Sequence, residues 1–188
     1  MFEEFERGTE VLMQEHRAIE RVLDVLEKMM DKYGTEDKLD VKTLSDIVDF
    51  LRNFADGCHH AKEEKLLFPA LNQKGMSLES GPVAVMLHEH DNGRGYIRGM
   101  VDGMEKFKAD PIKAKKEILE NARHYIDLLR QHIFKEDNIL FPMADSLIDS
   151  MEQKKMLADF ERTEKEEIGE GVHERYHKLI EELEKKFS

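Results

Sequence analysis

Apolar residues recur at three- and four-residue intervals in four stretches of the chain, the spacing that lines one face of an α-helix. Leu12, Ile19, Leu23, Leu26 and Met30 mark the first, and Leu44, Val48, Leu51, Ala55 and Leu66 the second. Val83, Met86, Ile97, Val101 and Met104 mark the third; Ile118, Ala122, Tyr125, Leu129 and Ile139 mark the fourth. Tyr33-Gly34-Thr35 closes the first stretch, Asp40 is placed to cap the second, and Asp110-Pro111 sets a cap before a proline at the first helical position of the fourth. Gly75-Met76-Ser77 and Ser80-Gly81-Pro82 part the second from the third. Pro69 and Pro142 should end or kink the second and fourth helices, because proline lacks the N–H that the helix needs. Short connections make sequential helices antiparallel neighbours, so the predicted fold is all-α, an antiparallel up-down four-helix bundle. Beyond about residue 150 lies an additional C-terminal helical segment, strongly charged and interrupted at Ile168-Gly169-Glu170-Gly171.

Six polar residues interrupt the apolar stripes from within. His16 stands with Leu12 and Ile19, His59 and Glu63 continue the stripe of Leu51 and Ala55, His90 lies between Met86 and Ile97, and His132 and Glu136 come after Leu129. They repeat. Cys58-His59-His60-Ala61-Lys62-Glu63 through Phe68-Pro69 matches Gln131-His132-Ile133-Phe134-Lys135-Glu136 through Phe141-Pro142 at an offset of 73 residues, and Glu15-His16 matches Glu89-His90 at 74. Each half therefore supplies a lone histidine on one helix and His-x-x-x-Glu on the next, where positions i and i+4 share a face. Counting rise per residue back from each turn puts all six at about the same height.

Any one of these residues alone reads as a hydrogen-bonded core histidine or an exposed carboxylate. Six of them facing inward in one layer, two being carboxylates that would repel, point to bound cations instead. Four imidazoles and two carboxylates suit two metals. If both glutamates bridge, each ion receives two nitrogens and two oxygens and keeps open positions; that mixed set favours iron, with manganese or zinc as alternatives.

Composition narrows the partners. A formal net charge of −12 argues against a general nucleic-acid binder and against an anionic membrane surface. No apolar run approaches a bilayer span, and no secretory leader follows Met1-Phe2-Glu3-Glu4, so a soluble cytoplasmic protein is expected. Cys58 is the single cysteine and reads as a small buried core residue.

As a set, His16, His59-x-x-x-Glu63, Glu89-His90, His132-x-x-x-Glu136 and the two Phe-Pro endings resemble the hemerythrin-like, or HHE cation-binding, family. The resemblance covers residues 9–149 and leaves 150–188 as a C-terminal helical extension. It implies a bundle holding a non-haem di-iron centre with bridging carboxylates and a bridging oxo or hydroxo group. Members bind O2, react with nitric oxide or peroxide, sense iron or repair iron–sulfur clusters. Oxygen carriers of the family have a fifth histidine one turn before the position of His90, where this chain has Met86, so reversible O2 transport is disfavoured against redox reaction or sensing. The expected function is to bind, and to reduce or sense, O2, nitric oxide or peroxide, with a separate electron donor or signalling partner. Iron storage or donation, and a structural dinuclear site, are the alternatives. The N-terminal cysteine pair of the iron–sulfur repair relatives is not found, nor is an attached signalling module.

Other candidates are assigned lesser roles. His60 and Glu64 share the i,i+4 spacing, but their counterparts are Ile133 and Asp137, so with Glu15, Glu89 and Asp137 they are expected to support ligands or meet solvent. His88 and His124 do not fit the layer, and His173 and His177, near Glu170 and Glu174, read as a solvated helix face. Gly95, Gly99 and Gly103 recur every fourth residue and require a close packing partner, the C-terminal helix or a second subunit.

Overall fold

Six helices account for nearly all of the computed structural model, which describes residues 5–36, 38–169 and 171–188, with side chains except those of residues 167, 168 and 173. α1 is Gly8–Thr35, α2 spans residues 41–73, α3 is Gly81–Lys106 and α4 spans residues 111–147. α1 packs on α2 and α4, and α3 packs on the same two, which closes a four-helix bundle. Side-chain caps start the helices where the sequence places them: Asp40 accepts from the Thr43 N–H at 3.1 Å and Asp110 from that of Lys113 at 3.1 Å, with Pro111 next. No described helix is long and apolar enough to cross a membrane.

The two Phe-Pro prolines do not end their helices. α2 runs on to Gln73 and α4 to Leu147, because each proline comes after a π-helical turn, Glu63–Leu67 in α2 and Glu136–Leu140 in α4. The Phe68 N–H donates to the Glu63 carbonyl and the Phe141 N–H to that of Glu136, five residues back. A wider turn makes room for the proline ring and takes up one extra residue. That residue rotates the remainder of the helix. Leu66 and Ile139, placed inward by periodicity, give way to Leu67 and Leu140, which are buried, while Ile139 is 49% exposed.

Apolar side chains form two clusters with the polar layer between them. One holds Val22, Leu26, Phe50, Leu51, Ile118 and Tyr125; the other holds Leu12, Phe68, Val83, Met86, Leu140 and Phe141.

The C-terminal segment is a helix pair, α5 over residues 150–168 and α6 at Val172–Lys186, broken where Gly169 and Gly171 take φ of 92° and 81°. Asp149 caps α5 by accepting from the Met151 and Glu152 N–H groups, and Glu152 reaches back to the Asp149 N–H at 3.0 Å. α5 lies on α1, where Gly8 leaves room for Met156 and Phe160, and the Gly8 N–H donates to Gln153 Oε1 at 3.0 Å. α6 covers α1 and α2: Tyr176 meets Phe50 edge-on at 5.3 Å, and Arg21 donates two 2.7 Å hydrogen bonds to Glu184.

The glycine stripe has a different partner from the one expected. A Cβ at Gly103 would fall 2.5 Å from Ile118 Cγ1 and one at Gly99 would fall 2.3 Å from Asn121 Oδ1, so both glycines admit α4, the other arm of their own hairpin. Gly95 meets only the flexible end of Arg98 at 3.8 Å. Gly103→Val should therefore cost about 1–3 kcal/mol through overpacking. Gly95→Ala should instead add about 0.5–1 kcal/mol of helix stability. Urea or thermal unfolding of the two variants checks the contrast, and equal effects would contradict it.

Candidate metal centre

The bundle brings His16, His59, Glu63, His90, His132 and Glu136 together at mid-height, and His60 joins them; none is more than 5% exposed. Their ligand atoms fall into two groups, each within 4.8 Å: His16, His59, Glu63 and Glu136 in one, His60, Glu63, His90 and His132 in the other. The carboxylates lie between the groups. Glu63 turns Oε1 toward His59 Nε2 at 3.8 Å and Oε2 toward His90 Nε2 at 3.4 Å. Glu136 Oε2 is 3.2 Å from both His16 Nε2 and His132 Nε2.

Every imidazole presents Nε2 inward because its Nδ1 faces a carboxylate on the outside. His16 pairs with Asp137 at 2.6 Å, His59 with Glu15 at 3.0 Å, His60 with Asp56 at 3.4 Å, His90 with Glu64 at 2.7 Å and His132 with Glu89 at 3.0 Å. An Nδ1–H donated outward fixes the tautomer that leaves the Nε2 lone pair free to ligate. Cations hold these carboxylates in turn: Arg17 on Asp137, Lys62 on Glu15, Arg94 on both Asp56 and Glu64, and Lys135 on Glu89. Aromatic faces shield the layer, Phe141 stacking on His16 at 5.5 Å and Phe68 on His90 at 5.9 Å.

A bound cation pair fits this set. The inward nitrogens of His16, His59 and His60 and all four oxygens of Glu63 and Glu136 are buried without a hydrogen-bond partner, a concentration of unsatisfied polar atoms that a folded core does not tolerate unaided. The Nε2 atoms of His90 and His132, 3.2 Å apart, also need a cation or a proton between them.

The Hemerythrin HHE cation binding domain matches residues 7–144. The chain belongs to this family. The Uncharacterized protein Rv1995 of Mycobacterium tuberculosis is 23% identical over 176 residues, 94% of this chain and 68% of the relative. The Iron-sulfur cluster repair protein YtfE of Musicola paradisiaca is 34% identical over 90 residues, and that of Salmonella typhimurium 35% over 89. In both the match covers 46% of this chain and 40% of the YtfE protein. No solved structure matches significantly.

Within this HHE centre, His60 is the residue that sequence reasoning misses. The repeat assigns it to supporting other ligands, since its counterpart is Ile133. The structure buries it beside Glu63, His90 and His132, with its ring stacked on His90 at 3.8 Å. His59 and His60 close the π-helical stretch Leu51–His60, whose wider turn sets adjacent residues less than the ~100° of an α-helix apart, and each faces a different ligand group. The position before His90 by one turn, Met86, is packed in an apolar cluster, so the fifth imidazole comes from α2 instead of α3. His88, His124 and His177 are exposed, and the side chain of His173, with Glu170, lies outside the described residues. Cys58 is buried, and burial pushes its thiol up.

Protons do the neutralising when no metal is bound. Burial works against charging His16, but Asp137 and Glu136 outweigh it and raise the imidazole to about 9; His132 is raised to about 10 in the same way by Glu136 and Glu89. Burial, then the facing Glu136, push the Glu63 carboxyl well above the usual range. Both imidazoles titrate above their ordinary 6.5, so their stabilisation of the metal-free fold is complete below that pH and is lost as pH rises through about 9 to 10. Chelator-stripped protein should lose thermal stability over that window. Zn²⁺ loading should release protons and tighten with rising pH, as pH-stat titration would record; a flat profile with no proton release would contradict the competition.

Proposed function

We propose that residues 9–149 hold two iron ions through His16, His59, His60, His90, His132, Glu63 and Glu136, and that the protein binds, and reduces or senses, O2, nitric oxide or peroxide. The observation that carries this reading is the set of inward, unpartnered nitrogen and carboxylate atoms. Five imidazoles and two carboxylates form the mixed nitrogen and oxygen set that suits ferrous and ferric iron, with manganese or zinc as competitors. When bound, such an iron pair supplies electrons and coordination positions to a small ligand.

The chain's own residues hold and sequester. His60, His90 and His132 give one group three imidazoles beside Glu63, while His16 and His59 give the other two beside Glu63 and Glu136, so the two sides differ in their nitrogen and oxygen donors. The outer carboxylates hold each Nδ1–H so that Nε2 is the atom turned inward for ligation, and Phe68, Phe141 and the two apolar clusters exclude water. A separate electron donor or signalling partner in the cytoplasm completes the reading.

Iron storage or donation is the second reading, favoured by the likeness over 90 residues to a protein named for iron–sulfur cluster repair.

Anaerobic reconstitution with Fe²⁺ should give two ions per chain. Adding O2, nitric oxide or peroxide while recording visible spectra then separates the readings: rapid consumption of one oxidant supports reduction, a stable reversible adduct supports sensing or carriage, and transfer of iron to an apo-acceptor without either supports donation. His60→Ala should lower the metal content toward one ion per chain, whereas exposed His88→Ala should keep two; full retention in His60→Ala would remove that residue from the ligand set.

A further inference from the structure

The 73-residue repeat extends beyond the ligands to their supports, and the two halves then part company at one position. Glu15 and Lys62 support His59 as Glu89 and Lys135 support His132, Glu89 standing 74 residues after Glu15 and Lys135 73 after Lys62. In the second half the pair sits at the bundle surface, with the Lys135 side chain 32% exposed. In the first half Lys62 is wholly buried, because α5 lies over it: its ammonium bonds Glu164 as well as Glu15, and Phe160 is 5.8 Å away. Glu164 opens the π-helical turn Glu164–Ile168 that ends α5.

Glu164, Lys62 and Glu15 form one buried ion chain, and ions taken out of water are held firmly only where their partners keep good geometry. The chain reaches the centre through the 3.0 Å contact of Glu15 with His59 Nδ1. Glu15, Cys58 and Glu164 also form a compact buried group of possible ligands, but the Lys62 ammonium already bonds both of its carboxylates, so a second metal site there is excluded.

We infer that Glu164 and Lys62 are positioning residues, through which the C-terminal extension tightens metal binding on the His16 and His59 side of the centre and through which metal loading fastens the extension to the bundle. The inference rests on the reading of the centre as a metal pair. By linkage the two effects are the same factor seen from either end: whatever metal adds to docking of α5, docking adds to metal affinity. The other outer carboxylates, Asp137, Asp56, Glu64 and Glu89, take their cations from within the bundle, so the effect is confined to one of the two ions.

The test uses the full chain loaded with Co²⁺ and, separately, Fe²⁺ under anaerobic conditions, with metal content and release to a chelator followed in time. Glu164→Gln and Lys62→Met should speed the loss of one ion of the two about 10- to 100-fold, the usual effect of removing a ligand's support, and leave the other unchanged. Glu164→Asp should restore part of the retention. Lys135→Met, the same change at the related surface position, should have a much smaller effect. Met156→Ala loosens α5 packing without touching the ion trio and separates positioning from general loosening. Hydrogen exchange should show the amides of residues 164–169 opening faster in metal-free wild type than in loaded wild type. Wild-type release rates in Glu164→Gln, equal acceleration of both ions in Glu164→Gln and Met156→Ala, or exchange indifferent to metal would each overturn the inference alone. A wild type that takes up no metal would overturn it together with the reading of the centre.

Discussion

Seven polar side chains in the middle of a dry helical bundle are the constraint on which the rest of this structure depends. Two carboxylates and five imidazoles cannot be packed there as ordinary core, since the inward nitrogens of His16, His59 and His60 and all four carboxylate oxygens find no hydrogen bonds and the carboxylates face each other. Opposite charge must be brought in. Protons can serve, and the raised imidazoles of His16 and His132 show how; the cations that this family's domain binds are the other source of that charge. The outward architecture answers that demand: a carboxylate behind every imidazole, a cation behind every carboxylate, and an apolar cluster at either side.

Much of this is legible in the sequence because the internal repeat doubles every signal. His16 with His90, His59 with His132 and Glu63 with Glu136 each confirm the other, and Glu15, Glu89, Glu64 and Asp137 appear at the matching offsets as supports. The helical stripes up to Ala55 and Leu129 also lie inward as periodicity requires. The repeat cannot reveal residues that depart from it. His60 has Ile133 opposite it, and Glu164 has no counterpart at all, so neither draws support from the pattern.

Periodicity fails at the π-helical turns for a geometric reason. A fixed angle per residue carries the buried stripe to Leu66 and Ile139, whereas one extra residue in the turn moves it to Leu67 and Leu140. The same turns begin at Glu63 and Glu136, so the widened backbone sits where the carboxylates enter the layer. The glycine stripe misleads in another way: spacing shows that something approaches closely, but only the fold shows that it is α4 rather than α6.

The supports of the layer also cross between halves. His16 in the first hairpin leans on Asp137 and Phe141 of the second, while His90 in the second leans on Glu64 and Phe68 of the first. Neither hairpin alone can brace its own lone histidine, so the layer exists only when both close on each other. Two identical hairpins meeting about a two-fold axis could provide that mutual bracing, but symmetry would oblige them to carry an imidazole at the His60 position on both sides or on neither. Joining them in one polypeptide lifts that obligation, and it is what permits one chain to give the two ligand groups of the layer unequal surroundings.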